Sequence, residues 1–292
     1  MITIMGATGH TGKKITEALL KAGEKVRALG RSETKLAELK RAGAEALAGD
    51  TNDAAFLTKA FRGANAVYTL LPTDPHVLDF RAEQDRQGEA IAKAIRENGV
   101  RYVVVLSSMG ADLEQGGVIA GLRAQEERLK KIDGINVLFL RPVSFFENFY
   151  SSLALIKQEG MNGDSVEADL AVPMVATRDI ADAAAKALKA PDWKGVVVRD
   201  LLGPRDISYS DATRILGEKI GKPDLQYVQF SYDDQAKALV QAGLSESFAT
   251  LYVEMTRAFN EGIIKPTRTS DNTTLSRFED FADELARAYD AG

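Results

Sequence analysis

The chain has 292 residues, 45% of them hydrophobic, and a net charge of −5. That length supports one large packed domain or about two smaller ones, and the mild acidity disfavours a polyanionic partner such as nucleic acid. With no cysteine, and with His10 and His76 as the only histidines, disulfides, thiolate catalysis and Cys- or His-rich metal centres are excluded. No apolar run reaches the roughly 20 residues that cross a bilayer. The glycine loop from residue 6 leaves no room ahead of it for a charged and apolar signal segment. The expectation is a soluble, cytoplasmic protein.

Short apolar runs and amphipathic stretches alternate through the first half. Residues 2–5 read as a strand, and 13–22 as a helix carrying Ile15, Leu19 and Leu20 on one face, ended by Gly23. A strand over 25–29, a helix over 33–42, a strand over 45–48 and a helix over 52–61 follow. Next come a strand over 66–71, a long helix over 79–97 and a strand over 101–107. This last strand holds the continuous run Val103-Val104-Val105-Leu106, which suits a strand buried on both faces of a parallel sheet. A helix over 119–132 and a strand over 136–140 complete the half. The alternation predicts an α/β fold, a Rossmann-like doubly wound parallel sheet.

The second half is less regular. It predicts a helix over 178–190, a strand over 196–198, and a helix over 209–220 behind Ser208-x-x-Asp211. A strand over 226–230 and helices over 233–242 and 246–260 follow. A second start signal, Ser276-x-x-Glu279, precedes a helix with Phe281, Leu285 and Tyr289 at helical spacing. The expected division is a nucleotide-binding core over 1–150 and a smaller α/β lobe over 151–292, closely packed, with some elements returning to the core sheet. The lobe would sit at the carboxyl edge of the sheet, where such folds bind ligands.

The stretch "MGATGHTGKK" spaces Gly6, Gly9 and Gly12 three apart, directly between the first strand and the first helix. The first glycine permits a tight turn, the second lets backbone approach a pyrophosphate, and the third lets helix pack on strand. The helix start then offers free N–H groups to phosphate. Thr8, His10 and Thr11 belong to the same loop, where the His10 backbone counts for more than its imidazole. An NAD site places a carboxylate about 20 residues further on, against the ribose. Here "KVRALGRSETK" supplies Arg31 at the end of the second strand, with Ser32 and Lys35 beside it. A guanidinium suits a 2′-phosphate, so the expected cofactor is NADP (NADPH). Asp50, followed by Thr51, either accepts from the adenine amino group or caps the next helix, as Asn52 also can. Leu70, Leu71 and Pro72 are expected to line the nicotinamide-ribose channel.

With these residues in place, the sequence resembles the NmrA-like branch of the atypical short-chain dehydrogenase/reductase superfamily over nearly its whole length. The carriers are "GATGHTG" at 6–12, "RALGR" at 27–31, "AGDTND" at 48–53 and "VVLSSMGAD" at 104–112. "EERL" at 126–129, "LRPVSFFENF" at 140–149 and "TSDNTTLSRFEDF" at 269–281 complete them. The resemblance implies one of two behaviours. Some members reduce quinones or dyes with NAD(P)H, a triphenylmethane reductase among them. Others bind NADP as redox sensors or transcriptional co-regulators that act on a protein partner.

The superfamily's usual Tyr-x-x-x-Lys proton shuttle is absent, since no tyrosine has Lys four residues on. "AGLRAQEERLKK" stands where it would fall, with Arg123 and Glu126-Glu127 in its place, and Lys130 and Lys131 come late enough to face solvent. This argues against an alcohol dehydrogenase or sugar epimerase. Hydride transfer to a small planar electron acceptor needs mainly a held cofactor and a stacked acceptor, with water as proton source. Ser107, Arg123 and Asn148 are the candidate catalytic residues, and Ser107 also the edge of the cofactor site. Ser108, Met109, Phe145, Phe146 and His76 are the candidate acceptor contacts. One of the two phenylalanines is expected in the core. Asn148 caps a helix or binds an oxygen, and His76 borders the pocket or only the surface. A homodimer or a protein partner is left open.

Overall fold

In the computed structural model, which describes residues 1–292, β1 (Ile2–Ile4), α1 (His10–Lys21), β2 (Val26–Gly30), α2 (Glu33–Arg41) and β3 (Glu45–Ala48) form the first half of a doubly wound sheet. The chain continues through α3 (Ala54–Ala60), β4 (Ala66–Thr69), α4 (Phe80–Asn98), β5 (Tyr102–Leu106), α5 (Ala120–Lys130) and β6 (Asn136–Pro142). Then come α6 (Phe149–Glu159), β7 (Met161–Asp164), α7 (Thr177–Lys189) and β8 (Val196–Leu201). Last are α8 (Tyr209–Lys219), β9 (Gln226–Gln229), α9 (Tyr232–Gln241), α10 (Glu246–Asn260) and α11 (Phe278–Ala291). No helix is long and apolar enough to cross a membrane.

The main sheet runs β3-β2-β1-β4-β5-β6-β8, and every pairing is parallel. Strand alternation sorts its side chains onto two faces. Ile4, Ala28, Tyr68, Val104 and Leu138 meet Ile15 and Leu19 of α1, Leu36 and Leu39 of α2, and Ile180, Ala184 and Leu188 of α7. Leu29, Val67, Val103, Val105, Val137 and Phe139 meet Leu57, Ala60 and Phe61 beside α3, Ile91 and Ile95 of α4, and Leu129 of α5. Both faces are apolar, which is why the strands read as continuous runs rather than alternating ones. At the amino end of β5, Tyr102 sits edge-on to Trp193, with ring centroids 5.4 Å apart.

Two elements of the second half complete this core. The α7 helix lies beside α1, and β8 forms the edge of the sheet next to β6. The remaining C-terminal elements have their own core, built from Phe146, Phe149, Ile156, Leu216, Phe278 and Phe281. Its two-stranded parallel sheet pairs β9 with β7, a strand for which the sequence "MNGD" carries no apolar pattern.

Local signals fare unevenly. Ser208 caps α8 as predicted, accepting from the Asp211 N–H at 3.0 Å. Ser276 does not cap α11, whose first residue is Phe278 behind Arg277. Its hydroxyl instead donates to Asp179 Oδ1 at 2.7 Å and accepts from Arg178 Nε at 2.7 Å, tying the tail to α7. The predicted strand over 66–71 stops at Thr69, because Leu70 and Leu71 turn out toward Pro72 and the site described next.

Candidate cofactor and acceptor site

The strand order reverses between β1 and β4, the place where open α/β sheets bind ligands. A groove of about 760 Å³ opens there at the carboxyl ends of the strands. Its floor is the glycine loop. Gly6 has φ +62°, a left-handed conformation that L side chains avoid. A Cβ on Gly12 would lie 2.2 Å from the Gly6 carbonyl oxygen, so only glycine lets α1 start so close behind the loop. The helix opens behind Gly9 with no side-chain cap and no acidic residue in its first turn. Its leading N–H groups thus face the groove unclaimed by any carboxylate, as a phosphate requires.

Gly6, Thr8, Gly9, His10 and Thr11 line the groove, with Arg31, Thr51, Leu70 and Pro72 along it. Arg31 is exposed and is the only lysine or arginine on the lining. Its neighbours have other tasks. The Ser32 hydroxyl caps α2 by accepting from the Lys35 N–H at 3.3 Å, and Lys35 lies exposed on that helix off the groove. Asp50 neither caps α3 nor lines the groove. It accepts from the Asn52 N–H at 2.9 Å, while Asp53 caps the helix by accepting from the Ala55 N–H at 2.8 Å. Gly12 supports the loop from behind. The His10 ring lies parallel to Tyr150 with centroids 6.1 Å apart.

A second, apolar chamber of about 420 Å³ adjoins the groove. Leu70, Leu106, Phe145, Asn148, Tyr209 and Tyr252 line both spaces and mark where they meet. Leu71, Ser107 and Ser108 line the chamber on the core side. Phe248, Met255 and Phe259, along one side of α10, line it opposite. No Asp, Glu, Lys, Arg or His is on its wall.

Several nominated residues lie elsewhere. Phe146 is core, 5.2 Å from Phe278 and 5.7 Å from Phe281 between ring centroids, while Phe145 alone faces the two spaces. Met109 is buried beside Ile264 and Val143. Arg123 points away and pairs with Glu114 at 3.7 Å. His76 is on neither wall, and its Nδ1 bonds the Gly243 carbonyl at 2.9 Å.

The Ser107 hydroxyl donates to Glu126 Oε1 at 2.6 Å. Arg141 holds that buried carboxylate with two arms, Nε to Oε1 at 2.9 Å and Nη2 to Oε2 at 2.6 Å. This bond to Glu126 raises the Arg141 guanidinium further above its usual range. With its single hydrogen committed, Ser107 can only accept from a ligand. The segment that stands in place of Tyr-x-x-x-Lys thus gives Glu126 to a buried ion pair with Arg141 of β6. Lys130 is not free in solvent either, as its Nζ lies 3.6 Å from Glu126.

Four contributors were not nominated from the sequence, though one of them, Glu147, lies within "LRPVSFFENF". Glu147 lines the groove and accepts from the Thr177 N–H at 3.0 Å and from its hydroxyl, which fastens the "FFEN" turn to the start of α7. Asp164, Tyr209 and Tyr252 come from β7, α8 and α10. The Tyr252 hydroxyl donates to Asp164 Oδ2 at 2.6 Å.

The chain matches the NmrA-like family over residues 1–283. It belongs to that family. This NmrA-like chain is 24% identical to an NAD(P)H azoreductase of Xenophilus azovorans over 295 residues, covering 100% of both. It is 27% identical to quinone oxidoreductase 2 of Escherichia coli strain K12 over 279 residues, 95% of this chain and 93% of that one. Among solved structures, an NADPH-dependent quinone oxidoreductase from Escherichia coli complexed with NADPH superposes with TM-score 0.82 at 23% identity, over 98% and 99% of the chains. A Citrobacter sp. triphenylmethane reductase complexed with NADP(H) gives 0.79 at 22%, over 98% and 100%. At these identities the superpositions establish the shared Rossmann-like fold.

Proposed function

We propose that this NmrA-like chain is an oxidoreductase that passes hydride from NADPH to a flat, uncharged acceptor such as a quinone. The observation that carries this reading is the junction of a phosphate-suited groove with an apolar, charge-free chamber at Phe145, Asn148 and Leu70. Relatives named as azo and quinone reductases support it. When bound, the cofactor would supply a hydride, which carries the two electrons of the reduction. The residues suited to hold it are the Gly6–Gly12 loop, with Arg31 at the 2′-phosphate end and Leu70 and Pro72 towards the nicotinamide. Phe145 offers a ring face to a planar acceptor, and the chamber wall excludes water from the transfer.

Isothermal calorimetry and a turnover panel test both parts. NADPH is expected to bind more tightly than NADH. Arg31→Ala should erase most of that preference, since a charge-assisted bond contributes about 1.5–3 kcal/mol, or roughly tenfold and more in affinity. Equal affinities in the unaltered protein would sink the 2′-phosphate assignment. NADPH consumption with at least one of a panel of quinones is expected. Tight NADPH binding with no turnover across the panel would remove the reductase reading.

A further inference from the structure

Two hydroxyls on the chamber wall rest on a carboxylate, Ser107 on Glu126 and Tyr252 on Asp164, and only the Tyr252 partner is without a cation, since Arg141 neutralises Glu126. Tyr252 projects from α10 at the junction of the two spaces. Asp164, at the end of β7, lines the groove but not the chamber, so it stands behind Tyr252 on the solvent side. No ion pair neutralises Asp164. The groups facing it are Tyr252 from α10, Tyr227 from β9, Tyr209 from α8 and its own turn. The Tyr227 hydroxyl bonds the Asp164 and Val166 carbonyls at 3.3 and 2.8 Å, and the Val166 N–H reaches Asp164 Oδ1 at 3.3 Å. Tyr209 bonds Ser144 at 3.0 Å. Asp164 is partly withdrawn from water and no cation offsets the lost hydration, which favours its protonated form.

We propose that Tyr252 gives a proton to the acceptor as it is reduced, and that Asp164 replaces that proton. The proposal rests on the reductase reading above. Hydride addition to a neutral carbonyl acceptor brings two electrons and leaves negative charge on its oxygen. The Tyr252 O–H bond breaks and the proton goes to that oxygen. The Asp164 carboxyl proton passes to the Tyr252 oxygen across the 2.6 Å contact. Solvent in the groove returns a proton to Asp164. The sum is acceptor, NADPH and one proton to reduced acceptor and NADP.

The bond can run in either direction. With Asp164 ionised, Tyr252 donates to it and its hydrogen is unavailable. With Asp164 protonated, the carboxyl donates and the phenol hydrogen is free to face the chamber. Burial pushes the Asp164 carboxyl above the ordinary carboxylate range, which widens the pH interval of the second state. Burial, and then the Asp164 charge, hold Tyr252 well above the usual phenol range, so it stays protonated at neutral pH.

The contact has a purely structural alternative, an anchor for α10, but that helix has other anchors. Ser165 Oγ meets Thr256 Oγ1 at 2.9 Å, Asn260 Nδ2 donates to the Ser165 carbonyl at 2.9 Å, and Asn260 Oδ1 accepts from the Glu167 N–H at 2.9 Å. Tyr252→Phe should therefore fold.

The test compares the unaltered protein with Y252F and D164N, using a quinone that the unaltered protein turns over. Calorimetric NADPH affinity within about twofold of the unaltered protein shows that each variant is folded. Y252F should lower kcat by about 10²-fold with little change in KM. The unaltered kcat should fall as pH rises through the Asp164 titration, and D164N should remove that fall. Infrared difference spectra should show a carboxyl protonation over the same pH interval that D164N abolishes. A cationic triphenylmethane dye takes up hydride alone, so where it is a substrate Y252F should spare it. An unchanged kcat and pH profile in folded Y252F, or equal losses with quinone and dye, would overturn the proposal. Absence of turnover in the unaltered protein overturns the reductase reading instead.

Discussion

At the scale of single residues, Gly12 shapes the glycine loop. A methyl group there meets backbone, the Gly6 carbonyl at 2.2 Å, and backbone cannot rotate aside. Gly12→Ala should lower stability by about 1–3 kcal/mol, as forced overpacking does, and weaken NADPH by tenfold or so. Thermal unfolding and calorimetry measure the two effects, and an unchanged NADPH affinity would mean that the loop does not hold phosphate. Gly12 was readable from spacing alone, because the constraint is local. The place of Arg31 on the groove was readable too, from its position at a strand end. Asp50 and Ser276 show the limit. Each has a residue type that suits a cap, but Asp53 lies one turn better placed for α3, and Asp179 takes the Ser276 hydroxyl from 97 positions away.

At the scale of elements, α10 forms one wall of the chamber. Phe248 stands on its chamber side and meets Phe80 edge-on, with centroids 5.1 Å apart. It does not line the groove. Phe248→Ala should raise KM for a quinone by about tenfold through lost apolar contact, and leave NADPH affinity unaltered. Parallel losses in both would show that α10 shapes the whole cleft rather than the acceptor end. The sequence predicted α10 as a helix over 246–260 from its period, and the structure has it as Glu246–Asn260. It could not say that this helix faces Leu70 and Ser107. Helical period identifies an apolar face, and the partner of that face is fixed by connections far along the chain. Tyr252 and Asp164 escaped for the same reason, being 88 positions apart with no motif joining them.

At the scale of the molecule, the chain is interleaved. The core sheet takes β8 from beyond residue 150, and the face over α1 is closed by α7. A fragment of residues 1–150 would leave Ile15, Leu19 and Ala28 without the cover of Ile180, Ala184 and Leu188. We expect that fragment to bind hydrophobic dyes and to show no sharp thermal transition. The whole chain is expected to unfold in a single transition that NADPH shifts upward, by about 2.7 kcal/mol at a hundredfold excess over Kd. Two separated transitions, only one of them moved by NADPH, would show two independent units. The fold class was legible early because alternating strands and amphipathic helices leave few topologies open. The return of α7 and β8 was expected only in general outline, since nothing in an alanine-rich helix or three valines states which sheet they join.

The pairing of Trp193 with Tyr102 gives the protein an optical reporter of its own. Trp193 is the only tryptophan, it is buried, and it lines neither the groove nor the chamber. Tyr102 fixes it at the amino end of β5, across the sheet from the edge where ligands would bind. Its emission follows loss of the core, while energy transfer from it to bound reduced nicotinamide, whose absorption overlaps the tryptophan emission, makes the nicotinamide fluorescence follow occupancy. One cuvette can record both processes on separate colours.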